Sequence, residues 1–417
     1  MKKTEFLEEK YRLLKEHFDS VGGNGYEVVS AVKDLYTLYD EGLLSWLAGL
    51  YEPSVGGFYY SRSARDNDGF LPDIESTLQA LNIIENGGMI GSLGELPEKM
   101  KEQIREFVCS LQCEEDGYIY HPQWGKNITD SRKGRDINWA IDLSRRLNFK
   151  LPYPTPSERL KAKKESGNAK TASVGIPEHL LSEEAMKNYL DGFDWINDAY
   201  YAGNTIAAQS SQIISAGLAA FCAEYINKFQ NPENGFWHKE TNIHYGVNGF
   251  LKITAFYNQA KLPIPYAERA AESTIACLVS DEVGTTPCHL FNCWFNLMNI
   301  ADSLRLSGGK YELSALESIS KKLIETAPIT IRGSKAKQSI FKKEDGGFSY
   351  TVNYSCAASQ GAPAAVPNTR ESDVNATVLC SSGSVGRMFM GLGAGKVKVP
   401  IFTPYDKDAF FSSLRLN

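Results

Sequence analysis

The chain of 417 residues contains no apolar run approaching the roughly 18 residues that a membrane helix requires. Its start, MKKTEFLEEKYRLLKEHF, carries Lys2 and Lys3 but no apolar stretch behind them, so it reads as an amphipathic helix over 1–20 and not as a signal peptide. A cytoplasmic protein with no membrane partner is the expectation. Basic excess is also missing: 44 Lys and Arg stand against 50 Asp and Glu, and the net charge of -6 argues against a broad nucleic-acid footprint. Cysteines are few, eight in all, scattered from Cys109 to Cys380 without a CxxC spacing. Reduced thiols explain them more simply than a disulfide framework does. A phosphate loop, a GxSxG elbow and a Rossmann fingerprint are absent; Gly391-Leu-Gly-Ala-Gly395 has neither a strand pattern before it nor a helix pattern after it.

What is present is helical periodicity. EFLEEKYRLLKEHF, LPEKMKEQIREFVCSL, QSSQIISAGLAAFCAEYINKF and ELSALESISKKLIETA place apolar residues at helical spacing, while strand signals are sparse. The class is all-α. A unit recurs between the helices, beginning with a glycine–aromatic turn: Gly56-Gly57-Phe58-Tyr59-Tyr60, Asp116-Gly117-Tyr118-Ile119-Tyr120, Asn234-Gly235-Phe236-Trp237 and Asp345-Gly346-Gly347-Phe348-Ser349-Tyr350. A loop follows, and then a second signature: Asp73-Ile-Glu-Ser-Thr, Asp136-Ile-Asn-Trp-Ala, Asn242-Ile-His-Tyr-Gly and Asp373-Val-Asn-Ala-Thr. Asp and Asn cap helix N-termini, so each signature is expected to start a helix. Asn204-Thr-Ile-Ala-Ala and Asn292-Cys-Trp-Phe-Asn are looser copies. Repeats of this length point to an array of helical hairpins carrying different loops.

These turns and helix-starting acids resemble the α/α toroid shared by terpenoid cyclases, protein prenyltransferase β-subunits and many carbohydrate-active enzymes. The resemblance spans about residues 36–395 and implies an (α/α)6-type ring in a single domain covering 1–417. It also implies a pocket where the inner-helix N-termini meet. Two long loops interrupt the pattern: a flap-like, proline-rich and then basic stretch at about 150–180, and Ser355 to Glu371. Loops of this length inside a compact domain are often functional.

If the repeats converge, the polar residues after each cap share one rim. Glu75, His244, Tyr245 and Asp373 are the catalytic candidates. Arg65, Asp66, Asp68, Asp73, Asn138, Asn242, Asn248, Arg370, Glu371, Asn375 and Trp237 are the substrate-binding candidates. Paired carboxylates suit acid and base work on a glycosidic bond. Asp73 and Asp373 are explained fully by capping; Glu75 falls one position too early for a capping box. His244 with Tyr245 could exchange a proton beside a carbonyl, with Asn242 and an arginine assisting, a set similar in kind to that of toroidal polysaccharide lyases. Cys288-His289 with Cys293 resembles the zinc ligands of lanthipeptide cyclases, but no spacing completes a four-ligand site, so no metal or cofactor is expected. The Asp-x-Asp-Asp and Asp-Asp-x-x-Asp motifs of terpenoid chemistry are absent.

Three readings follow. The first is an enzyme that cleaves a glycosidic bond in an oligosaccharide, by hydrolysis or by β-elimination. The second is a terpenoid-cyclase-like or prenyltransferase-like enzyme with a deep apolar cavity and one buried acid. The third is a non-catalytic toroid that binds a glycan or peptide, with its acids occupied by caps and salt bridges.

Overall fold

A computed structural model of the protein describes residues 2–159, 177–239, 243–414 and 416, with the side chains of Asp130, Ser131 and Ile243 left out. The fold is mostly helical. The named strands among the described residues are two-residue pairs, β1 (Tyr51–Glu52) with β2 (Gly57–Phe58) and β3 (Ala358–Ser359) with β4 (Ala362–Pro363). Most of the 150–180 stretch, and Asn242, lie outside the described residues.

Two helices lead in, α1 (Lys3–Ser20) and α2 (Gly25–Tyr36). The amphipathic α1 buries Leu14 and Phe18 and packs on α2. Helix pairs then succeed one another. They are α3 (Glu41–Ala48) with α4 (Ile74–Gly87), α5 (Glu98–Ser110) with α6 (Asp130–Arg146), and α7 (Glu183–Leu190) with α8 (Ala199–Ala208). They continue as α9 (Ala219–Asn227) with α10 (Ile243–Ala260), and α11 (Ala267–Val279) with α12 (Cys288–Ser307). Last come α13 (Lys310–Ser339) with α14 (Val374–Val378), which runs through an irregular turn at Ser381 into α15 (Ser384–Gly391). Several of the second helices pack on one another: α4 on α6, α8 on α10, α10 on α12 and α12 on α15, while α14 returns to α4.

The repeat is built from identical local bonds. Phe58 N donates to Thr77 Oγ1 at 3.0 Å, and that hydroxyl donates to Asp73 O at 2.7 Å. Phe348, Thr377 and Asp373 reproduce the pair at 3.0 and 2.7 Å. Asp73 and Asp373 cap their helices, accepting from Ser76 N and Ala376 N. In the two middle turns a glutamine does the equivalent work: Gln112 Nε2 reaches Gly117 O and Tyr153 O, and Gln230 Nε2 reaches Gly235 O and Pro265 O. Gly346 holds φ +110°, and a Cβ there would stand 2.2 Å from Gly42 O. Backbone therefore packs on backbone at the turn, which only glycine permits.

Three sequence expectations need correction. Asp136 does not start its helix: Thr129 Oγ1 caps α6, accepting from Arg132 N at 3.1 Å, and Asp136 lies in the second turn. Asn204 and Asn292 also lie inside helices α8 and α12. The turn before α8 is instead Asp191-Gly192-Phe193-Asp194-Trp195, where Trp195 Nε1 donates to Leu190 O at 3.1 Å. Trp237 makes the matching bond to Ile226 O at 2.9 Å and is fully buried, so this proposed binding residue belongs to the core.

Replacing Gly346 with alanine is expected to destabilise the protein by at least ~2 kcal/mol, since the left-handed φ and the clash with Gly42 add. A lower urea midpoint with unchanged slope is the expected reading; an unchanged midpoint would show that the turn can rearrange.

Candidate functional site

The Asp73–Thr77 segment places Glu75 in the first turn of α4, on the side that faces α6. From α6 comes Arg132, wholly shielded from solvent. Its Nη1 donates to Glu75 Oε2 at 2.9 Å, its Nη2 lies 3.6 Å from Asp73 Oδ1, and its Nε lies 2.9 Å from Asp136 Oδ1. The last contact is off the N–H axis, an ion pair without a hydrogen bond. All three carboxylates are buried. Arg132 and Asp136 are four residues apart on one helix, so the pairing follows from helical geometry. The guanidinium is walled by aromatic rings, 4.4 Å from the Trp124 centroid and 5.4 Å from that of Trp139.

Three buried carboxylates against one guanidinium leave an excess of negative charge, which burial makes costly. Protons relieve it. Burial pushes the Asp136 carboxyl up to about 7, against the pull of Arg132. Burial also raises Glu75, again opposed by Arg132 and by the hydroxyl of Ser359. Burial works against the charge on Arg132 itself, but Asp73, Asp136 and Glu75 outweigh it and keep the side chain cationic. His121, whose Nε2 is 2.8 Å from Pro72 O, is lowered by burial and brings no compensating charge near neutrality.

The long loop closes the centre from above. Ser359 Oγ donates to Glu75 Oε2 at 2.6 Å, and Ser359 O accepts from Arg132 Nη1 at 3.1 Å. Pro363 O accepts from Trp124 Nε1 at 3.0 Å. A cavity of about 260 Å³ opens between the hairpin and α6, with Gln123, Trp124, Asn127, Thr129, Arg132 and Gln360 among its walls.

The sequence candidates divide around this centre. Glu75 and Asp73 belong to it, and Asn375 reaches it through Gln79 Nε2, which donates to both Glu75 Oε1 and Asn375 Oδ1. Asp373 is buried one helix away, with Oδ1 on Ala376 N and Oδ2 on Tyr350 N, and burial raises it to about 7. Glu371 is occupied by Ser63 and Ser355. Arg65 pairs with Asp66 and Gly49 O on the surface; Asp68, Arg370 and Asn138 are exposed. Tyr245 and His244 separate. Tyr245 is 67% exposed and shares a shallow cavity with Asn248, which accepts from Asn292.

His244 is buried and faces Cys277, with 3.4 Å between Nδ1 and Sγ, and stacks on His289 at 4.8 Å. The Cys293 thiol and His244 together pull Cys277 down to about 6, and burial lowers His289 to about 4. Cys288 turns elsewhere, its Sγ 3.2 Å from Tyr350 OH. No group of three His, Cys, Asp or Glu among the described residues is placed to hold a metal ion. The sequence reading missed Arg132, Trp124 and Ser359. The one available signal was the Arg132–Asp136 spacing, obscured by taking Asp136 as a cap.

Replacing Arg132 with methionine strands the carboxylates and is expected to cost ~3–5 kcal/mol near pH 7.5, with a smaller loss near pH 5 where Asp136 holds a proton. Equal losses at both pH values, read by chemical denaturation, would show that the charge cluster is not the cause. Asp136 gives a second expectation. Its folded carboxyl is raised above its unfolded value, so the stability it contributes at low pH is lost as pH climbs through about 7. Asp136→Asn keeps a neutral group, so its thermal midpoint relative to wild type is expected to improve from about pH 5 to about pH 8. A constant difference would contradict the shift. No family model, curated protein or solved structure matches the chain.

Proposed function

We propose that the helix pairs close into an α/α ring and that the Arg132 centre at its mouth binds an oligosaccharide and cleaves a glycosidic bond by hydrolysis. The ring is supported by the packing of α4 on α6, of α8, α10, α12 and α15 in succession, and by the return of α14 to α4. The observation that carries the chemistry is the pairing of Asp136 and Glu75 across one buried guanidinium. Asp136 keeps a proton near neutrality and suits a general acid that protonates a leaving oxygen. Glu75 suits the base or nucleophile. The Trp124 indole and the amide side chains around the adjoining cavity fit a sugar ring, which needs apolar stacking and several hydrogen-bond partners at once.

The elimination route has weaker support, because His244 and Tyr245 face different surroundings. Isoprenoid chemistry is poorly served by a centre with three carboxylates. The non-catalytic, glycan-binding reading is favoured by one observation: each acid of the centre already meets a cap or Arg132.

Incubation with a panel of oligosaccharides, followed by product analysis, separates the two. Turnover reduced ~10²–10⁴-fold in Glu75→Gln is expected for a catalytic carboxylate. Oligosaccharides that bind and remain intact would leave only the binding reading.

A further inference from the structure

A cavity of about 690 Å³ lies among α9, α11, α13 and the loop from Leu262 to Tyr266, where α10 and α12 end. The Arg132 centre stands instead near the starts of α4 and α6. One face of α9 forms a wall of the cavity, with Ala220, Ala223, Glu224 and Asn227 at helical spacing. Leu262, Leu304 and Ala315 add apolar surface. The walls are held from behind. Gln230 Nε2 donates to Pro265 O at 2.7 Å, Ser303 Oγ to Leu262 O at 2.8 Å, and Tyr257 OH to Asn227 Oδ1 at 2.5 Å. The volume falls within the ~300–1,000 Å³ of preformed ligand sites.

The charge on these walls is one-sided. Glu224 comes from α9, Glu268 and Glu272 from α11 and Glu312 from α13, against Arg269 alone. Arg269 Nη1 pairs with Glu272 Oε2 at 2.9 Å, and Glu224, Glu268 and Glu312 make no ion pair among the described residues. Glu268 and Glu312 lie in the first turns of their helices, where a carboxylate stabilises the helix start; Glu224 lies beyond the first turn of α9 and has no such role. Tyr266 and Tyr311, 49% and 75% exposed, offer aromatic faces to a cation. The neighbouring hollow, past Glu268 and Glu272, contains Lys321 and Lys322, which bound the acidic region on that side.

We propose that this cavity binds an aliphatic polyamine, its methylene chain against the apolar wall and its ammonium groups shared among Glu224, Glu268 and Glu312. Carboxylates set on three helices around an apolar wall suit several ammonium groups separated by methylenes. A metal ion needs its oxygen ligands to converge, and no group of three acids among the described residues does so. A peptide strand needs backbone partners, and the loop presents Pro263 and Pro265, which have no N–H to give. The proposal does not depend on the carbohydrate reading of the Arg132 centre.

The test is titration calorimetry of the intact protein at low ionic strength with spermidine, triethylene glycol, magnesium chloride and tetralysine. Spermidine is expected to bind at least ~10-fold more tightly than the glycol or magnesium, because it alone fills the apolar wall and meets several acids. Glu224→Gln and Glu312→Gln are each expected to weaken spermidine ~3-fold, the scale of one exposed ion pair, and together ~10-fold. The single variants keep the comparison open if the double variant fails to fold. Glu98→Gln with Glu106→Gln, on α5 and outside this cavity, removes the same charge and is expected to change binding less than ~2-fold. No spermidine binding overturns the proposal, as does magnesium or glycol bound equally well. An equal loss in the α5 variant would reduce the effect to net charge and overturn it too. Preference for tetralysine would assign the cavity to a basic peptide instead.

Discussion

The charge on Arg132 is the constraint around which the centre is organised. A guanidinium removed from water needs partners on every edge. Here Glu75 and Asp73 come from one helix, Asp136 from its own, Ser359 from a loop more than two hundred residues away, and two indoles cover the faces. Removing the guanidinium leaves the three buried carboxylates without a counter-charge. The centre therefore fixes α4, α6 and the β3–β4 hairpin relative to one another.

The surrounding frame can hold such a centre because its turns repeat bond for bond. Thr77 and Thr377 each satisfy a turn N–H and a cap carbonyl, and Gln112 and Gln230 each bridge two loop carbonyls. Asp73 and Asp373 thereby reach equivalent positions and then diverge in role. Asp373 spends both oxygens on backbone N–H groups, whereas Asp73 keeps an edge toward Arg132. Equivalent positions in the repeated turns thus differ in their second contacts.

A second cluster, Cys277 with His244, Cys293 and His289, shows the same scaffold serving burial. Its thiol and imidazole perturb each other strongly, but Cys277 and Cys293 are fully enclosed. Perturbed titration marks strong local interaction in both clusters, and a cavity adjoins the Arg132 centre.

Helical class, the glycine–aromatic turns and two of the acid caps were legible in the sequence, because each depends on bonds within a few residues of the chain. Gly346 needs its positive φ, and Asp73 needs Ser76, whatever lies beyond. Glu75 could be singled out because capping did not explain it. What the chain order concealed was everything set by contact across it. Asp136 looked like a third cap because its flanking residues match, yet Thr129 starts that helix about two turns earlier and turns the acid inward onto Arg132. Trp237 looked like a binding aromatic until packing placed it in the core. Ser359 carried no local signal: its hydroxyl matters only because folding brings it to Glu75. Local hydrogen bonds are written in short stretches of sequence, while the partners of a buried charge are chosen by packing, which depends on the whole chain at once.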